Sequence, residues 1–132
     1  MTRFTKDGKM LEQEQIVAIY VFHAIFGYFY KPECEEANEL DRELLGEPHF
    51  VSDIYSAIES LPKPCGKVML ERLGLKSYKD IAKMLGIRVI MVQEHEHTAW
   101  KLIRRPERTK NLRHYTEGFK KWEESFQETN DN

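Results

Sequence analysis

The chain lacks most of what marks an enzyme, a secreted scaffold or a membrane protein. It has two cysteines in 132 residues, Cys34 and Cys65, without the Cys-x-x-Cys spacing of a zinc or redox site. They read as reduced, incidental thiols of an intracellular protein. No signal peptide precedes the first helical pattern. The longest apolar run, residues 16–30, is too short to span a bilayer and contains His23 and Gly27, so no membrane association is expected. No nucleophile–base pair, phosphate loop or paired-carboxylate motif occurs, so neither enzymatic activity nor a cofactor is expected. Glu94-His95-Glu96-His97 invites a metal reading. On a helix, however, His95 and His97 stand about 200° apart, and the His-Glu-x-x-His spacing is absent, so no metal is expected. Strand-like alternation and internal repeats are missing too, which leaves an all-α fold.

What is present is a charge asymmetry hidden by the net charge of −2. Residues 1–61 carry 5 basic and 12 acidic side chains, residues 62–114 carry 13 basic and 5 acidic, and the tail from Tyr115 carries 2 basic and 5 acidic. A basic block of that kind suits phosphates or an acidic partner, the alternative being a solvated basic face. The acidic run 33–47 is a solvated face, a nucleic-acid mimic or a meeting point for a basic protein.

Helical segments follow from apolar spacing and from proline and glycine punctuation. Residues 10–30 form the first, with Ile16, Val17, Ile19, Tyr20, Val21, Phe22, Ile25, Phe26, Tyr28, Phe29 and Tyr30 apolar on nearly all faces and Pro32 as its end. An exposed Phe22, Phe26 and Phe29 would make too large an apolar patch for a monomer. Self-association through segment 16–30, or a fold in which this helix caps the helix-turn-helix core formed further along the chain, is therefore expected. His23 is a hydrogen-bonded core or interface residue. Residues 33–45 form a second helix stopped by Gly46 and Pro48, and residues 51–61 a third. After Pro62 and Pro64 come residues 65–73 with Gly74 as C-cap, then 77–85 and 88–105; Pro106 interrupts, and 107–124 resume helically. Phe119 and Trp122 pack the last helix onto the core or extend a partner surface.

The region 77–92 has helix-turn-helix punctuation. Ser77 caps a helix with Asp80 to reciprocate, Ala82 is small where two helices cross, Gly86 suits a turn at positive φ, and Val92 returns an apolar side chain to the junction.

Read together, residues 51–115 resemble region four of the bacterial primary sigma factors. That family's Leu-x-x-Arg-Glu-x-x-Val-Leu-x-x-Arg-Phe-Gly-Leu segment corresponds to Leu61 through Val68, Met69, Arg72, Leu73, Gly74 and Leu75. Its Glu-Glu-Ile-Ala helix corresponds to Lys79-Asp80-Ile81-Ala82. Its closing Ala-Leu-Arg-Lys-Leu-Arg-His-Pro-x-Arg corresponds to Ala99-Trp100-Lys101-Leu102-Ile103-Arg104-Arg105-Pro106-Glu107-Arg108. The resemblance implies a helix-turn-helix domain over 51–115, with residues 1–50 as a helical extension that binds a partner or caps the core. Residues 116–132 add a C-terminal helix and polar tail. It also implies binding to the RNA polymerase β-subunit flap, with Leu73, Trp100 and Ile103 at the groove positions. Core packing is the alternative for those three.

Where the family reads bases with Arg, Glu and Gln, this chain has Val89, Ile90 and Met91, followed by Gln93 and Glu94. Apolar side chains reach a thymine methyl but supply no bidentate donors for guanine, so base reading is expected to be weak. DNA contacts are expected from Arg88, Gln93, His97, Lys101, Arg104, Arg105 and Arg108, joined by Lys110 and Arg113 on phosphates. The expected function is transcription regulation in the cytoplasm of a bacterial or phage-infected cell, as a split-sigma subunit or a phage-type co-activator or inhibitor on promoter DNA. The alternative is an autonomous helix-turn-helix repressor, dimeric through segment 16–30.

Overall fold

The computed structural model describes residues 10–28 and 35–130, with side chains to residue 125. The described residues hold eight α-helices, one 3₁₀ turn and no strand, so the protein is all-α. None of these helices is long and apolar enough to cross a membrane. The chain groups into two compact units. One is Tyr55–Lys110; the other takes its residues from Met1–Ile54 and Asn111–Asn132.

The second of these units is built on α1 (Gln13–Phe26). Its start is fixed by a reciprocal capping box between Glu12 and Gln15 rather than at Met10. Its end comes at Gly27, in the left-handed conformation with its N–H on the His23 carbonyl, so the helix does not run through Tyr28 as its apolar content suggests. Hydrophobicity says that a segment is buried but not that it is helical, and here the C-cap overrides it. Phe29, Tyr30, Pro32 and Cys34, each of which has a place in the sequence reading, lie outside the described residues.

The aromatic side chains of α1 do not form an external patch. Phe22 is fully buried. Its ring centroid lies 5.2 Å from Phe26, 5.6 Å from Phe50 and 5.7 Å from Phe119, while Tyr28 stacks on Phe119 at 4.8 Å. The core of this unit uses up Val21 and Phe22, which therefore offer no surface for self-association; Tyr20 remains exposed. His23 is the hydrogen-bonded core histidine anticipated. Its Nε2 lies 2.7 Å from Oδ1 of Asp41, which is itself buried on α2 (Glu35–Leu45).

Next come α3 (Phe50–Glu59), within which the division between the units falls, and α4 (Cys65–Leu73). Gly66 is required by close approach, since a Cβ there would stand 2.7 Å from the Ile58 carbonyl oxygen. Then follow α5 (Tyr78–Leu85) and α6 (Val89–Ile103). The expected helical run 107–124 is instead split. Pro106 starts the one-turn α7 (Pro106–Thr109), a 3₁₀ turn covers Arg113–Thr116, and α8 (Glu117–Asn130) follows. Proline fits the first position of a helix and not its interior, so Pro106 interrupts the pattern of α6 as expected.

Candidate nucleic-acid and polymerase interface

The α5–α6 corner is set by local chemistry. Ser77 Oγ accepts from the Asp80 N–H at 3.1 Å, supplying its half of the expected capping box. At the other end Gly86 adopts φ +67°, with its N–H on the Ala82 carbonyl, and the Ile87 N–H also bonds Ala82. An L side chain at Gly86 would be strained, so the turn needs glycine there. Val68 of α4, Ile81 and Ala82 of α5 and Val92 of α6 form one buried cluster, with Tyr78, Leu85 and Ile87 packed against it. Ala82 and Val92 thus occupy the junction that their spacing indicated.

With Val92, Ala99 and Ile103 turned inward, α6 shows its other face to solvent. Ile90, Gln93, His97 and Lys101 are all exposed on it, at three- and four-residue intervals. Val89 and Ile90 are 40% and 51% exposed, so the start of α6 offers apolar surface where base reading calls for donors. Arg88 is the exposed N-cap residue of α6, without a side-chain cap bond and with no acidic residue in the first turn. Arg105 and Lys110 are exposed, as is Arg113 on the other unit. Two basic residues already have partners. The Arg104 guanidinium lies 5.3 Å from the centre of the Trp100 ring. Arg108 Nη1 donates to the Ser60 carbonyl at 3.1 Å, fastening α7 to the segment after α3.

The proposed polymerase-groove residues are not alike. Leu73 and Trp100 are half-buried, on helices that pack together. Ile103 is fully buried, which makes it a core residue with no side-chain surface for a partner. The physical reason is its place on α6, where it shares the inward helical face with Val92 and Ala99.

A polar clamp at this corner is absent from the expectations drawn from sequence. Glu96 accepts from Arg72 Nε at 3.1 Å and from the Tyr78 hydroxyl at 2.6 Å. The Arg72 guanidinium lies 4.0 Å from the Tyr78 ring centre, and its Nη1 donates to the Lys76 carbonyl at 2.9 Å. Glu96 raises the Tyr78 phenol above its ordinary value, mainly by hydrogen bonding, while Lys76 holds the Glu71 carboxyl below its own. The signal was available, because a carboxylate midway between Val92 and Ala99 on a largely inward stripe needs a donor. The clamp joins α4, α5 and α6. His95 lies 4.0 Å from the buried Cys65 thiol and His97 is exposed, so the two histidines face apart.

Compared with known proteins, the chain matches no family model, no curated protein and no solved structure.

Proposed function

We propose that the protein is a transcription regulator whose Tyr55–Lys110 unit acts as a helix-turn-helix of the sigma region-four kind, docking on the RNA polymerase flap and steadying promoter DNA through its phosphates. The observation that carries this reading is the α5–Gly86–α6 corner over Val68, Ile81, Ala82 and Val92, with exposed Arg88 at the start of α6 and Lys101, Arg104 and Arg105 at its end. Arg88 stands at the start of a 15-residue helix, where the helix dipole and open amides favour an anion. Lys101 and Arg105 continue the positive charge at the far end. Val89 and Ile90 between them give little base discrimination, so promoter choice comes from the polymerase complex rather than from this chain alone. Leu73 and Trp100 form the flap contact, with Trp100 as anchor. Such a chain serves as a split-sigma subunit or as a phage-type co-activator or inhibitor at the sigma site. A dimeric repressor is less well supported, because Val21 and Phe22 of its required dimer segment are core residues.

Selection from random DNA duplexes, with the protein alone and again with bacterial RNA polymerase, tests this reading. A sequence motif recovered only in the presence of polymerase is expected. A strong motif recovered by the protein alone would favour the repressor instead. Affinity for any duplex should fall steeply with salt, since phosphate neutralisation carries it.

A further inference from the structure

The α2 and α8 helices of the other unit border two adjoining open hollows that nothing in the proposed function uses. One, of about 200 Å³, lies over Leu44, Tyr115 and Phe119 and is edged by Glu43, Glu47 and His114. The second, of about 420 Å³, lies between Trp122 and the carboxylates Glu35, Glu36 and Glu39. Leu40 lines both. Opposite it, a Cβ on Gly118 would stand 3.1 Å from a Leu40 methyl, so α8 comes close to α2 at the saddle between the two hollows. The result is a two-lobed groove with an apolar floor and an acidic rim, following α2 for about three helical turns.

The α2 side of the rim is strongly one-signed. Residues 35–47 carry six acidic side chains and one basic. Asp41 is turned inward to His23, and Arg42, the single cation, bridges Glu35 at 3.0 Å and Glu39 at 3.1 Å. Such a rim repels nucleic-acid phosphates and anionic headgroups, while the floor rewards apolar side chains. A helix seated in it would present apolar residues three and four apart to the floor and Lys or Arg to the rim.

We infer that the α2–α8 groove docks a basic amphipathic helix of a partner protein. The inference does not depend on the reading of the Tyr55–Lys110 unit.

The test uses full-length protein carrying Trp100→Phe, with helicity checked, so that Trp122 is the only tryptophan reporting by fluorescence. The probe is a 14-residue Lys/Leu peptide with leucines at helical spacing. It should bind saturably and shift Trp122 emission. A Lys/Ser peptide of equal charge and a Glu/Leu peptide of equal spacing should not. The double reversal Glu39→Lys/Glu43→Lys should weaken binding at least tenfold. Glu94→Lys/Glu107→Lys, an equal charge change outside the groove, should have much less effect. No Lys/Leu binding, equal binding of the Lys/Ser peptide, or equal weakening by both reversals would each overturn the proposal. The last two results would reduce the groove to a solvated acidic face, and a Trp122 response to duplex DNA alone would also contradict it.

Discussion

Tyr78 donates its hydroxyl to Glu96 across 2.6 Å, tying the first residue of α5 to the middle of α6. Arg72 reaches the same carboxylate from α4, so one side chain on α6 holds the three helices in register. Removing it leaves the Arg72 Nε–H and the Tyr78 hydroxyl without this acceptor. Glu96→Ala should cost about 1–2 kcal/mol of stability, and Tyr78→Phe should cost less. Chemical denaturation measures both; an unchanged midpoint in Glu96→Ala would mean that the clamp contributes nothing.

Leu75 has φ +67° and is 86% exposed. It closes α4, with its N–H on the Arg72 carbonyl and the Lys76 N–H on the Glu71 carbonyl. That is a Schellman ending in which leucine holds the place usually given to glycine. Leu75→Asn should therefore stabilise the protein by about 1 kcal/mol, because asparagine tolerates the left-handed region. Thermal unfolding decides the sign, and a lower melting temperature would contradict the strain.

Tyr115 is buried and donates to Asp53 at 2.6 Å. Burial first, and then the bond to Asp53, hold its phenol protonated well above the ordinary tyrosine range. The folded-state value exceeds that of the unfolded chain, so this contribution to stability is complete below about pH 10 and is lost as pH rises further. Stability should fall on the alkaline side of that point, and more gently in Tyr115→Phe. Denaturation midpoints across the alkaline range measure it; identical slopes for the two proteins would contradict the assignment.

Much of the fold is legible where a single residue has one steric role. Ser77, Ala82, Gly86 and Val92 stand where their chemistry suggests, and α4 runs over Cys65–Leu73 as its apolar stripe and punctuation indicate. The end of α1 is less so, because apolar content continues past Gly27 while the helix stops there. Ile103 shares a helical face with Val92 and Ala99, so its burial is readable from spacing; the family pattern draws attention to the surface instead. Gly74 is the C-cap its position indicates, but the positive φ of Leu75 after it is not legible, because leucine carries no preference for that region. The grouping of the C-terminal residues with the N-terminal helices in one unit rests on contacts far apart in sequence, which periodicity cannot report.

Phe22 sits among Phe26, Phe50 and Phe119 with no exposed surface. Phe22→Ala should destabilise the protein by about 3–5 kcal/mol. Phe26→Asp, at a half-buried site, tests the less favoured dimer. Sedimentation should find a monomer with and without this change, and a dimer dissociated by Phe26→Asp would restore the repressor.

The central claim is met most directly by titrating the isolated RNA polymerase β-flap domain with this protein in a calorimeter, beside Trp100→Ala and Ile103→Val. One-to-one binding by a monomer is predicted. Trp100→Ala should lose roughly 2 kcal/mol of affinity while keeping its helicity. Ile103→Val should lower stability by about 0.5–1.5 kcal/mol and leave affinity in place. No binding to the flap, or full affinity in a folded Trp100→Ala protein, would contradict the account.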